Sequence, residues 1–141
     1  MFDFSAIKPH PLANRLSLDL EEYNDGKRIL WELSLDGVDI GEGRLNLMRE
    51  YSFDTEWCIT GSAITKRGIG LYSGYVLPML ANILGTIHSD PTRSDAAEGA
   101  WRKVRGAQKC RVGGRGIDAR GGYVWRVINL NPTLDYGSSY V

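Results

Sequence analysis

WCITGSAITKRGIGLYSGYVLPMLANILGTIHSDPTRSDAAEGAWRKV, residues 57–104, holds the order of elements that decides the fold. Trp57 to Ile64 is rich in β-formers and predicts a strand, despite Gly61. Thr65-Lys66-Arg67-Gly68-Ile69-Gly70 then turns the chain. From Leu71 to Leu84 the apolar residues recur with helical period, at Leu71, Tyr75, Met79 and Ile83. Pro78 falls inside that helix and predicts a kink or one open hydrogen bond, and Gly85 ends it. Thr86 to His88 predicts a short strand, and Asp90-Pro91-Thr92-Arg93 a turn. Ser94 is a good N-cap for a second helix, Asp95 to Arg105, with Ala97, Ala100, Trp101 and Val104 along one side. Glu98 stands one residue beyond the ideal capping-box position.

Upstream, Arg15 to Glu22 and Arg28 to Leu35 alternate apolar and polar residues, as half-buried strands do. Asn24-Asp25-Gly26 is the turn between them, and Asp36-Gly37 a hairpin signal into a third strand, Val38 to Met48. Gly41 and Gly43 predict a bulge or bend there. Tyr51 to Glu56 reads as a loop. Downstream, Lys109 to Val112 and Tyr123 to Leu130 read as closing strands, joined by a Gly/Arg-rich loop or flap, GGRGIDARGG. The expected organisation is one domain over residues 1–141, with an arm at 1–14, a core at 15–130 and a tail at 131–141. Its class is α/β: an antiparallel meander followed by a strand–helix–strand–helix unit, giving a mixed sheet covered by helices.

The composition excludes several alternatives. Hydrophobic residues make up 43% and charged residues 24%, values of an ordinary globular protein. No apolar run approaches the roughly 18 residues that span a bilayer. Met1 to Phe4 has no basic segment followed by an apolar stretch, so no secretory signal is expected, and the chain is placed in the cytoplasm. The two cysteines, Cys58 and Cys110, and the two histidines, His10 and His88, lack metal-site spacing; no metal is expected and the thiols are read as reduced and partly buried. Charge is divided: residues 1–56 carry six Lys/Arg against twelve Asp/Glu, and residues 57–141 eleven against five. That asymmetry fits an anionic partner for the second half, or attraction between the halves of one domain. Arg111, Arg115, Arg120 and Arg126 come without aromatic interleaving or a recognition motif, which disfavours nucleic acid.

The turn from Thr65 to Gly70 carries the chemistry. The first N–H groups of a helix have no internal acceptor and bear partial positive charge. A glycine turn brings that backbone close to an anion, and phosphate or pyrophosphate fits there. Lys66 and Arg67 add charge beside it. No Gly-Lys-Ser/Thr of a Walker loop and no third glycine of a dinucleotide fingerprint follows. By itself, then, the motif is either an anion site or a tight strand-to-helix turn.

In context, Thr65 to Gly70 followed later by Ser94-x-x-Ala97-x-x-x-Trp101 resembles the GCN5-related N-acetyltransferase (GNAT) superfamily. That family has an R/Q-x-x-G-x-G/A turn and a helix bearing N-x-x-A-x-x-x-Y. His88-Ser89-Asp90 and the Ser94 to Trp101 helix are most similar to the compact GNAT-like proteins of bacteriophages. The resemblance implies a GNAT-like, mostly antiparallel twisted sheet with helices packed on it, and an acyl-CoA-dependent N-acyltransferase using acetyl-CoA or another acyl-CoA. It places the pantetheine arm on the backbone of Ile59, Thr60 and Gly61, the pyrophosphate at Thr65, Lys66, Arg67, Gly68, Ile69 and Gly70, and Ser94 at the position of the helix Asn. Ser89 would lie near the acyl group, and Glu56, with Asp54 as second choice, would be the base that takes the proton from an attacking ammonium. It also implies a host-cytoplasm location if the chain is phage-encoded, and a possible homodimer through the strand Tyr123 to Leu130.

Three residues depart from the family pattern. Thr65 replaces Arg/Gln, Ser94 replaces Asn, and Trp101 replaces a Tyr that protonates the leaving thiolate in many members. Indole has no proton to give near neutral pH. Coenzyme A would then leave as a thiolate or take its proton from water. Alternatively the scaffold has lost catalysis and acts by binding a macromolecular partner, as a virion component or an inhibitor of a host system. Trp101, Tyr72 and Tyr75 read as core packing, and His88 as a structural histidine.

Overall fold

Tight turns with left-handed backbone set the first three strands. The computed structural model describes residues 10–47, 56–65, 69–90, 93–104, 107–111, 123–128 and 139–140. Strands β1 (Leu16–Tyr23) and β2 (Arg28–Leu35) pair antiparallel in unbroken register from Leu16↔Leu35 to Tyr23↔Arg28. Asn24, Asp25 and Gly26 turn between them with φ of 54°, 56° and 75°. Asp36 and Gly37, at 51° and 81°, make the two-residue hairpin into β3 (Val38–Leu47). Alternation then decides the faces: Leu16, Leu18 and Leu20 are buried, and Ser17, Asp19 and Glu21 are exposed.

The anticipated irregularity of β3 is present at a different residue. Leu33 pairs with Gly41 and Ser34 with Asp39, so Ile40 is the extra residue. Gly43 has another purpose. A Cβ there would lie 2.4 Å from the indole of Trp31, whose fully buried ring crosses the backbone of β3. The next strand, β4 (Glu56–Ile64), carries a second bulge: Leu45 pairs with Ile59 and Arg44 with Gly61, leaving Thr60 unpaired with β3.

The helix after the Gly turn begins at Leu71 and is wound loosely, as a π-helical turn, over Tyr72–Val76. It tightens into α1 (Leu77–Leu84), and Pro78, which has no N–H to donate, falls directly after the π-helical turn. The irregularity expected at Pro78 therefore lies one turn earlier, as a change of winding. Gly85, at φ 97°, stops the helix. Strand β5 (Thr86–His88), helix α2 (Asp95–Lys103), and strands β6 (Gln108–Arg111) and β7 (Tyr123–Ile128) follow. The residues from 131 onward, read as a tail, include β8 (Ser139–Tyr140), which pairs parallel with β1 at Asp19 and Leu20. The GGRGIDARGG segment lies outside the described residues.

The sheet order is β6-β7-β5-β4-β3-β2-β1-β8, parallel at β4/β5 and β1/β8 and antiparallel elsewhere. The α/β class and mixed, mostly antiparallel sheet read from the sequence are those of the structure. Trp31, Leu33, Leu45, Leu77, Leu80 and Ile87 form the fully buried centre of the core. Each such side chain stabilises the fold by about 1.5–3 kcal/mol relative to exposure. Among the described residues no helix is long and apolar enough to cross a membrane.

Candidate functional site

Strands β4 and β5 part company early. Three backbone pairs join them, the last being Cys58↔His88. From Ile59 to Ile64, β4 runs on with no strand on that side among the described residues. The parting coincides with the Thr60 bulge, so the strand bends where its neighbour ends. The opening is a cleft of ≈ 690 Å³, lined by Ile59–Ile64 of β4, by Gly70–Ser73, by Asp90, Arg93 and Ser94, and by a face of α2 that includes Trp101 and Lys103. The sequence-derived residues Ile59, Thr60, Gly61, Gly70 and Ser94 therefore meet in one place.

Of the described residues of the Gly turn, Gly70 lines this cleft. Thr65 is tied back to the bulged residue of β3: its N–H and its hydroxyl both donate to the Ile40 carbonyl, at 2.8 and 3.0 Å. Its side chain thus anchors the end of β4. Lys66, Arg67 and Gly68 lie outside the described residues. Ile69 is exposed, and Gly70 has φ 70°, a conformation that strains any residue with a Cβ. The helix opens directly after it, and Gly74 N–H is the donor to the Gly70 carbonyl at 2.8 Å. The N–H groups ahead of Gly74 are those a helix leaves without internal acceptors.

Tyr72 brings a hydroxyl into the cleft that the sequence reading assigned to packing. Its ring stacks against Trp31 with centroids 6.5 Å apart. Its oxygen lies 3.0 Å from Ser62 Oγ on β4. Burial pushes the hydroxyl up to about 12; hydrogen bonds with Ser62 and Trp101 pull the other way, and the nearby Cys58 adds to the rise. Indole donates only, so Tyr72 accepts from Trp101 and keeps its own proton for Ser62 or for a ligand. Trp101 is itself 1% exposed, in agreement with the packing role expected of it. Tyr75, also read as packing, is buried.

Helix α2 is held by a buried polar network. Ser94 caps it, accepting from Ala97 N–H at 3.1 Å. Arg93 Nε donates to Glu98 Oε1 at 2.8 Å, with the two side chains 1% and 6% exposed. Trp125 Nε1 donates to the same carboxylate oxygen at 3.0 Å. Glu98 thus spans from the helix to β7 instead of closing a capping box. Ser89 belongs to this network as well. It is fully buried, its hydroxyl accepts from Trp125 N–H at 2.8 Å, and Arg93 Nη1 lies 3.3 Å away. Ser89 is not among the residues lining the cleft. Glu56 starts β4, where its backbone pairs with Thr86; its side chain is outside the described residues.

Cys58 is half-buried and free, with its thiol 3.6 Å from the Ser89 carbonyl. Burial, with a contribution from Asp90, pushes it up to about 12, which makes it a poor nucleophile at neutral pH. His88 is buried at the end of β5 and does not line the cleft. Among the described residues no group of three or more His, Cys, Asp or Glu could hold a metal ion.

No family model matches the chain, and no curated protein matches it in sequence. Solved structures do match. The GNAT domain of S. lividans PAT superposes with a TM-score of 0.54 at 11% identity, over 77% of this chain and 64% of that one. Mycobacterium smegmatis RimJ, solved with CoA-disulfide, gives 0.55 at 15% identity, over 80% and 58%. AAC(6')-Ib, solved with acetyl-CoA, gives 0.51 at 17% identity, over 71% and 63%. The chain spans between 58% and 64% of the length of these three. The likeness establishes the fold: this is a GNAT-type α/β sheet.

Proposed function

We propose that the chain is an acyl-CoA-dependent N-acyltransferase of the GNAT superfamily, transferring an acyl group to an amine of a protein or small molecule. The observation that carries this reading is the cleft between the free edge of β4 and α2, continuous with the Gly turn. An extended ligand with amide groups would pair with the exposed backbone of Ile59, Thr60 and Gly61, as an added strand does. Its pyrophosphate would meet the turn from Thr65 to Gly70 and the first N–H groups of the helix, with Lys66 and Arg67 nearby. The solved neighbours that hold CoA-disulfide or acetyl-CoA support the choice of ligand.

The thioester supplies an activated acyl carbon, and the chain's own groups supply the rest. Glu56 takes the proton of the incoming ammonium. Backbone N–H groups of β4 along the cleft would stabilise negative charge developing on the carbonyl oxygen. Tyr72 gives the departing sulfur a proton and regains one through Ser62 or solvent. This offers a donor in place of the phenol that Trp101 lacks. Ser94 serves through its cap, by setting the position of α2 beside the ligand.

Calorimetry with acetyl-CoA tests the reading. We expect saturable binding that Gly70→Glu abolishes while the fold, read by circular dichroism, is retained. Absence of binding at millimolar acetyl-CoA would refute it.

A second reading is a catalytically inactive protein of this fold, of the compact bacteriophage kind, that binds a macromolecular partner. The full burial of an indole at position 101 favours it. Acetyl transfer to an amine at enzymatic rates would count against it.

A further inference from the structure

The segment before β1 reaches the Gly turn. His10 Nε2 lies 2.7 Å from the carbonyl oxygen of Ile69. Leu12 N–H donates to the other ring nitrogen, Nδ1, at 3.0 Å. Nδ1 is therefore the acceptor, which puts the proton of the neutral ring on Nε2 and makes Nε2–H the donor to Ile69. The ring also rests against the first helical turn: a Cβ on Gly74 would sit 3.5 Å from His10 Cδ2.

Peptide geometry converts this contact into a constraint on the cleft. In a trans peptide the carbonyl of one residue and the N–H of the next point in opposite directions. No described peptide is cis. The Ile69 carbonyl is turned toward His10, which does not line the cleft, whereas Gly70 does. The Gly70 N–H accordingly points away from His10, and Gly70 itself lines the cleft. A glycine has access to many backbone conformations, so the Ile69–Gly70 peptide is free to flip unless something fixes one of its ends. The imidazole fixes the carbonyl end.

We propose that His10 is a positioning residue for the anion-binding turn, holding the Ile69–Gly70 peptide with its N–H toward the pyrophosphate of an acyl-CoA. The proposal rests on the acyl-CoA reading above. His10 makes no contact with the acyl carbon or the amine. It acts through the backbone it pins, so its effect is confined to ligands that carry the pyrophosphate.

The test compares coenzyme A with pantetheine, which has the same arm and no phosphate, by calorimetry on the whole chain and on His10→Phe. Phenylalanine keeps the ring against Gly74 and removes both nitrogens. Coenzyme A should bind about tenfold more weakly, the scale of one lost charge-assisted hydrogen bond. Pantetheine affinity should stay within about twofold by the same reasoning, and His10→Gln, whose amide N–H reaches for Ile69, should recover part of the loss. Unchanged coenzyme A affinity in His10→Phe, or an equal loss for both ligands, would overturn the proposal. Hydrogen exchange of the Gly70 amide in the free protein separates this idea from the cofactor reading. If neither ligand binds the wild-type chain, the acyl-CoA reading fails. Exchange at Gly70 that is faster in His10→Phe would then still establish the latch, and unchanged exchange would sink it.

Discussion

Tyr72→Phe removes one oxygen from the cleft and leaves the ring on Trp31. Two hydrogen bonds go with it, those to Ser62 and Trp101. Trp101, 1% exposed, loses the acceptor of its N–H. The cost is about 1–3 kcal/mol, visible as a lower urea midpoint at pH 7. The alkaline limb gives a sharper reading. Tyr72 is raised from 10.0 to about 12 in the folded chain. The unfolded chain therefore releases this proton first, and stability present below pH 10 falls as pH climbs to 12, by about 2–3 kcal/mol. Cys58, raised from 9.0 to about 12, contributes a similar fall that begins earlier. Tyr72→Phe should keep the Cys58 part of the alkaline slope and lose its own. For transfer, thiol release from acetyl-CoA with hydroxylamine as acceptor should slow by about 10²-fold or more, the usual loss for a proton donor, with coenzyme A affinity little changed. An unchanged kcat would refute the donor role. An unchanged alkaline slope would refute the burial that raises the phenol.

Gly43→Ala forces a Cβ to within 2.4 Å of the Trp31 ring and should destabilise by about 1–3 kcal/mol, read by chemical denaturation. Glu98→Gln leaves the buried Arg93 guanidinium without its counter-charge and should cost about 3 kcal/mol or more; a denaturation midpoint equal to wild type would show the pair to be dispensable. In a Cys110→Ser background, Cys58 should alkylate at pH 8 about a thousandfold more slowly than a thiol of ordinary acidity, because so little of it is thiolate; alkylation at the ordinary rate would contradict its burial.

What the sequence made legible was local. Alternation in LSLDLEE and RILWELSL, with Asp36-Gly37 between strands, determines the meander because one face of each strand is buried. The cap at Ser94 and the stop at Gly85 were readable for the same reason: each satisfies backbone groups with residues next to it. The bulges were harder. Gly41 and Gly43 marked β3 as irregular, yet the extra residue is Ile40, because the glycines answer to Ala63 and Trp31 on neighbouring strands. Thr60 carries no compositional signal at all. Strand β8 is two residues long, too short for any period, and only its pairing with β1 reveals it. Tyr72 and the Arg93–Glu98–Trp125 network escaped for a different reason. Apart from Arg93–Glu98, five positions apart, their roles depend on partners 10 to 36 positions away. The resemblance places Ser89 near the acyl group; in the structure its hydroxyl accepts from Trp125 N–H, a partner 36 positions on.

The bulge at Thr60 gives β4 two phases of alternation. Ile59 faces Leu45, and Ser62, three residues on, faces Gly43, so both lie on the side that packs on the core. In a regular strand, residues three apart lie on opposite sides. Removing Thr60 would leave each of these pairings with β3 intact and the ladder more regular than before. What would vanish is the β4 residue that has no partner on β3 and lines the cleft. Fold and cleft are separable at this position: the ladder would close over the loss, and the lining of the cleft would register it.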